Sequence, residues 1–440
     1  MIERIHFLWP EIALFATTCV VMLVGLSRVL ALRSLAAPLT GLGLAVAGVL
    51  AIFFSPSAGP KSGQVLLPEL MPYAKTVIAA VGLLLLMLSA GVVDRREEAE
   101  IASGRRRFDA LRTNRAEYYG FFLFSLTGLM LCASAADLIW LFLALELTSL
   151  PTYIMVTMST SGNRSREAGV KYFFLGALGA ATFLYGFALI YGGTGTTNLN
   201  QIHNIIAADG AGLVTLAGFM LAIIGVSFKI AAVPMHFYAA DVYQGAASPV
   251  TAFLAFVPKT AGFITILLLC GALSWGFAPG IPPHDQVMNF TPMSAAEIQS
   301  LGEPPRLGLP EPVRVLLWVM AAMTMTIGNV LAIVQHSVKR MLAYSSIAHS
   351  GYMLVAVIAG PGDNTFVTSG VSAVLFYLLV YGVSNVGAFA VLSSLEHPPD
   401  ATGEHAEADD VEDVKGLFRA RPVHAAVLTL SCLGLMGLPP

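Results

Sequence analysis

The stretch Gly225–Phe263, GVSFKIAAVPMHFYAADVYQGAASPVTAFLAFVPKTAGF, carries two lysines in otherwise apolar surroundings. Lys229 closes an apolar run from Leu213 to Phe228, and Lys259 interrupts another from Val250 to Cys270. A lysine at the centre of a bilayer costs about 2.5–3.5 kcal/mol on insertion scales. Ionisable residues kept at that cost face the protein interior or water, and mark ion or proton paths by default. The groups that fall in apolar spans are Glu146, Lys229, Lys259 and, near a helix start, Lys171; His349 also lies within a span, and His236 and His336 near span ends.

Prolines accompany the central charges. Pro151 follows Glu146 by five positions, Pro234 follows Lys229 by five, and Pro258 directly precedes Lys259. A proline removes one N–H and displaces the carbonyl four residues earlier, here those of Leu147, Ile230 and Leu254. In lipid a freed carbonyl needs water or an ammonium as partner, so each charge has a polar gap where a hydrated chain can form. Burial disfavours an ammonium and a neighbouring carboxylate favours it. A lysine set between these limits takes and releases a proton when a nearby charge moves, so Glu146 with Lys229 predicts one switch and Lys259 the next station. Blander roles stand beside this reading. Lys171 in REAGVKYFF can snorkel to the surface, and His349 in YSSIAHSGY can be a core histidine bonded to Ser345, Ser346 or Ser350. Prolines are common in membrane helices in any case.

The elements that must position these groups are membrane helices. The chain of 440 residues is 56% hydrophobic and 12% charged, against about 25% charge in a soluble domain, and its mean hydropathy is +0.75. Runs of about 20 apolar residues, enough to span the hydrocarbon layer, recur near Trp9–Leu26, Leu35–Phe54, Thr76–Val93, Tyr118–Ala133, Leu138–Met158, Val170–Tyr191, Leu213–Val233, Pro249–Leu273, Val313–Val334, Leu342–Ala359 and Thr368–Leu395, with a last run from Val423. The seventh is interrupted at Pro234 and followed by the more polar MHFYAADVYQGAA, which reads as a broken helix. Expected is an all-α polytopic bundle.

With the N-terminus outside, the cytoplasmic connections hold Arg28, Arg33, the arginines from Arg95 to Arg115, Arg164, Arg166, Lys339, Arg340, Lys415, Arg419 and Arg421. The outside ones hold Arg4, Lys61, Lys75, Arg306 and Arg314. That bias sets the orientation. The first residues, MIERIHFLWPEIALF, lack a cleavage site and read as a retained helix. Cys19, Cys132, Cys270 and Cys432 form no CxxC pair, no basic run has a nucleic-acid pattern, and GGTGTTNL, without a preceding strand or a Gly-Lys, is no phosphate loop. The acidic segment EHPPDATGEHAEADDVEDVKGLFRARP reads as solvated, with a short amphipathic piece from Val411 to Phe418.

LFLALELTSLPTYIMV, GVKYFFLGALGAATFLYGFALIYGGTGTTNL and QHSVKRMLAYSSIAHSGYML resemble the antiporter-like membrane subunits of NADH–quinone oxidoreductase (respiratory complex I), in wording closest to the subunit N branch. Mrp-type cation/proton antiporters share related features. The resemblance implies inverted five-helix repeats with one broken helix each: three helices and an Arg-rich loop over 1–117, a first repeat over 118–273, an outside loop over 274–312, and a second repeat, incomplete, over 313–440. It implies a proton-translocating subunit in a bacterial inner membrane, with Glu146 as switch glutamate, Lys229 as its partner on the broken helix, Lys259 as central lysine, Lys171 as the lysine of the sixth helix and His349 on the path between repeats. It also implies other membrane subunits as partners, no nucleic acid, and no cofactor in this chain, the flavin, iron–sulfur clusters and quinone belonging elsewhere in the assembly. Two departures stand out. Ala240 and Ala247 replace frequent prolines, and nothing matches a later lysine expected beyond Pro440, which reads as an incomplete chain. The alternatives are an Mrp-type subunit and a scaffold that never pumps.

Overall fold

A computed structural model describes residues 6–54, 70–89, 103–105, 115–160, 163–273, 309–361, 369–395 and 409–437. Among these residues the regular structure is helical, joined by turns and irregular stretches with two isolated bridges, and nine stretches are long and apolar enough to cross a membrane. The main helices are α1 (Trp9–Gly25), α2 (Ala36–Phe53), α3 (Leu70–Ser89), α4 (Arg115–Ala133), α5 (Leu138–Met158), α6 (Asn163–Thr194), α7 (Leu199–Asp209), α8 (Leu213–Val226), α9 (Tyr238–Gly245), α10 (Ser248–Leu273), α11 (Glu311–Ile333), α12 (Val338–Ala359), α13 (Gly370–Ser393) and α14 (Pro422–Leu435). In a bilayer a helix satisfies its own backbone, and the long apolar runs therefore read directly as helices. The loop between the eighth and ninth expected spans lies almost wholly outside the described residues.

Starts are set by caps. Asp137, Asn198, Ser337 and Ser369 each accept from an amide in the first turn of α5, α7, α12 and α13, filling donors that a helix start leaves open. Three of these caps also sit in two matching bridges. The Asp137 strand pairs with Asn198, through Leu138 N–H to Thr197 O and Leu199 N–H to Ala136 O. The Ser337 strand pairs likewise with Asp410, through Val338 N–H to Asp409 O and Val411 N–H to His336 O.

These bridges lie at opposite ends of the bundle. The first joins the start of α5 to the end of α6. The start of α6 is at the other end, where Gly245 comes within 2.9 Å of the Arg164 carbonyl when a Cβ is placed on it. There Lys339 of α12 also donates to Ala246 O. We call this end, which carries Arg164, Lys339 and Arg340, the inner end.

Helix α10 runs through the middle, and every one of its residues is buried. Packed between helices on all sides, it needs no lipid-facing stripe. By contrast α6 and α11 present much of their apolar surface outward, with Phe174, Tyr185, Trp318 and Ile333 exposed. Antiparallel α6 and α8 approach closely at glycines. A Cβ on Gly225 would sit 2.3 Å from the Phe183 amide nitrogen, and one on Gly186 2.5 Å from that of Ala222.

Candidate functional site

Lys229 does not sit on a helix. Helix α8 ends at Val226, eight positions before Pro234, and Lys229 lies in the irregular stretch before α9. Ala231 there has φ +52°, a left-handed conformation uncommon for alanine. The stretch is held by partners from elsewhere. Val233 N–H donates to Thr324 of α11 at 3.0 Å, and the Tyr238 hydroxyl donates to Phe228 O at 2.7 Å. Gly262 of α10 lets it come close, since a Cβ there would meet Ile230 Cγ2 at 2.5 Å.

The ammonium of Lys229 is 3.3 Å from Glu146 Oε1 and donates to Ser149 Oγ at 2.6 Å. It also lies 5.7 Å from the ring centres of Phe183 and Phe228, within cation–π range. Lys229 is 2% exposed, and the Glu146 side chain 19%. The expected switch pair is therefore brought together, on α5 and the helix break.

Lys259, buried at the centre of α10, donates to the Ser346 carbonyl and to Ser350 Oγ, the latter at 2.9 Å. It stands 5.4 Å from the Tyr381 ring centre. Ser350 in turn donates to Ile230 O at 2.5 Å. A polar row results: Glu146, Lys229, the adjacent Ile230 carbonyl, Ser350, Lys259. Of the carbonyls expected to be freed by proline, that of Ile230 takes this role. Helices α5 and α10 continue through Pro151 and Pro258.

The other expected site residues fall elsewhere. His349 Nδ1 bonds the Tyr377 hydroxyl, not one of the serines near it in sequence, with Tyr352 and Tyr381 around the ring. Lys171 is 43% exposed and outside the buried row. It pairs with Glu167 at 2.7 Å and Asp241 at 3.0 Å, on the wall of a cleft of about 270 Å³ at the inner end that Arg164, Gln244 and Gly245 also line. Asp241, on α9 outside the spans, also takes Arg340 at 2.8 Å. Partial burial pushes its carboxyl up, but the hydrogen bonds from Arg340 and Lys171 outweigh this and hold it below the usual carboxylate value.

Two placements from the sequence are corrected. Lys75, assigned above to an outside connection, is in α3 and 2% exposed, paired at 2.7 Å with Glu11 of α1. Lys75 also donates to Phe7 O, and Ser134 donates to Glu11 Oε1. Glu11, third residue of the first expected span, belongs among the buried charges as well. Lys339, assigned to a loop, is a buried residue of α12. Ser149 was the other omission, since serine is common in membrane helices, while Ser346 and Ser350, expected beside His349, bond Lys259 instead. Among the described residues no group of three or more His, Cys, Asp or Glu is placed to hold a metal.

Residues 135–278 and 309–440 match the family described as NADH:quinone oxidoreductase/Mrp antiporter, transmembrane. The chain is similar to NADH-quinone oxidoreductase subunit N of Trichlorobacter lovleyi, 38% identical over 329 residues, covering 74% of this chain and 58% of the relative. It is 32% identical to the subunit N of Bacillus anthracis over 444 residues, covering 99% and 77%. Several relatives are thus matched over only about 60% of their length. Among solved structures, a chain in respiratory complex I from Thermus thermophilus with bound aureothin is similar at TM-score 0.66 and 29% identity, over 98% of this chain and 79% of that one.

Proposed function

Because the chain belongs to the NADH:quinone oxidoreductase/Mrp antiporter transmembrane family, we propose that it is a proton-translocating membrane subunit of an NADH–quinone oxidoreductase. The observation that carries this reading is the row from Glu146 and Lys229 through Ile230 O and Ser350 to Lys259. Moving charge near Glu146 changes how well Lys229 holds its proton. The Lys229 backbone joins the same break whose carbonyl Ser350 uses, so a change there reaches Lys259 within one layer of bonds. Lys171 with Asp241 stands at the inner mouth, and His349 further along α12.

In this reading the two end-for-end bridges mark inverted repeats over 118–273 and 313–440, with the 274–312 loop between them. The N-terminus is outside, in a bacterial inner membrane, and neighbouring membrane subunits supply the driving charge changes. The chain itself holds no flavin, iron–sulfur cluster or quinone. The family also includes Mrp-type members, and the relatives named subunit N favour the redox-linked reading over a cation/proton antiporter.

The test is proton pumping by the assembled complex in proteoliposomes carrying Lys229→Ala, with donor oxidation and lumen acidification followed together and assembly checked on a native gel. Loss of coupled pumping in an assembled complex is expected. Pumping at the wild-type rate overturns the relay and leaves a scaffold; sodium-dependent transport without an electron donor leaves the antiporter reading.

A further inference from the structure

Next to Lys259, three hydroxyls on three helices form a chain not used by the row above. Tyr381 of α13 donates to Ser346 Oγ at 2.8 Å, and Ser346 is bonded to the Tyr243 hydroxyl of α9 at 3.2 Å. All three residues are at most 3% exposed. Since Ser346 accepts from Tyr381, its own proton is the one available for Tyr243, which orders the chain from α13 through α12 to α9.

One end lies at a buried ammonium, and the other is a buried hydroxyl on the helix that lines the inner cleft. At one end, the Lys259 ammonium lies over the Tyr381 ring and bonds the carbonyl of Ser346 itself. At the other, Tyr243 sits on the short helix whose Asp241 and Gln244 line the inner cleft. The chain is also fixed in place. Asn385 donates to Tyr381 O, Thr251 to Tyr243 O, and Arg340 to Asp241. Three pre-aligned hydroxyls cost little reorganisation when a proton passes.

We propose that Tyr381, Ser346 and Tyr243 carry protons between Lys259 and the inner end of the bundle, by a route separate from Glu146 and Lys229. A proton leaving Lys259, directly or through one water, binds Tyr381 Oη. Tyr381 passes its original proton to Ser346 Oγ, Ser346 passes its own to Tyr243 Oη, and Tyr243 releases its own toward water at the cleft. One proton enters and one leaves, every hydroxyl is remade, and Lys259 is left neutral; the reverse sequence reloads it. The proposal rests on Lys259 carrying protons.

The experiment measures donor-driven proton transport in proteoliposomes holding the assembled complex with Tyr381→Phe, Ser346→Ala, Ser346→Thr, Lys259→Ala, or the Tyr381→Phe/Ser346→Ala pair. Transport is expected to fall about tenfold or more in Tyr381→Phe and Ser346→Ala, to be no lower in the double variant, and to recover in Ser346→Thr. Threonine keeps the hydroxyl but adds a methyl, so a packing role predicts the opposite order, with alanine the milder change. Wild-type transport in Tyr381→Phe and Ser346→Ala, or threonine no better than alanine, overturns the hydroxyl chain while a loss in Lys259→Ala leaves the central lysine standing. Wild-type transport in Lys259→Ala removes the premise instead.

Discussion

Two lysine–glutamate–serine groups among the described residues are built differently. Glu11 and Lys75 meet at 2.7 Å, both at most 3% exposed, on the intact helices α1 and α3, and Ser134 donates to the carboxylate. Glu146 and Lys229 stand 3.3 Å apart with the acid 19% exposed, and the lysine is carried by a break rather than a helix. The tight, dry pair joins the N-terminal helices to α4 and has little room to change state. In the looser pair the lysine also donates to Ser149, and its acid reaches solvent more than Glu11 does. On the proposed reading, distance, exposure of the acid and a lysine carried by a helix break, not residue type, separate a clamp from a switch.

The largest effect should come from breaking the clamp on one side. Lys75→Ala leaves Glu11 as an unpaired buried charge, a loss of about 3–5 kcal/mol. It should appear as a lower unfolding temperature and poor assembly in detergent, whereas the Glu11→Leu/Lys75→Met pair restores stability and leaves pumping intact. The same kind of swap at Glu146 and Lys229 should keep the fold but abolish coupled transport. If both swaps behave alike, the distinction between the two pairs is wrong.

Gly128→Ala sharpens the comparison without touching a charge. A Cβ at Gly128 would lie 2.5 Å from the Thr148 amide nitrogen and 2.8 Å from the Leu147 carbonyl carbon, pushing α5 off α4 beside Glu146. Overpacking of this kind costs about 1–3 kcal/mol. The loose pair depends on where α5 lies, so thermal stability and pumping should fall together, and unchanged pumping would show that its spacing is not set by this contact.

The smallest effect belongs to the exposed rim. Asp241 is held ionised by Arg340 and Lys171, so its contribution is present above the unfolded carboxyl value of about 3.9 and is lost as pH falls through the lower folded value. The side chain is 40% exposed, and screening limits the contribution to about 0.2–1 kcal/mol. Unfolding of wild type and Asp241→Asn should differ by that amount at neutral pH and converge below about pH 4. A difference that persists at low pH would mean that packing, not charge, joins α9 to α12.

Hydropathy was enough for the spans. The expected Leu138–Met158 matches α5 end for end, and most others agree within a few residues. Most exceptions are charged or polar residues in helical turns at the membrane edge, such as 163–169 of α6 and 338–341 of α12, which hydropathy does not distinguish from loop. The seventh span instead ends seven residues short of its expected Val233, because the backbone breaks after Val226. The short α7 was missed because its amphipathic turns follow a glycine-rich segment. At the site, Glu146, Lys229 and Lys259 were legible because charge in an apolar run is rare. That Ser149, Ser346, Ser350 and Tyr381 surround them was not, because those residues are ordinary there and their type does not say which charge they meet.

The sequence by itself determined that this is a polytopic helical membrane protein with a few charges kept in its interior, because the cost of a charge in lipid is local and can be read residue by residue. The pairing of Glu146 with Lys229 was expected, and the tertiary structure decided the distances and the other meetings. It set Lys229 on a break beside Glu146, put Lys171 out on the rim with Asp241, and turned Lys75 inward to Glu11. It also joined Ile230 to Lys259 through Ser350, 120 residues further along the chain. Pairing depends on helices far apart in sequence coming within about 3 Å, and no local pattern records that distance.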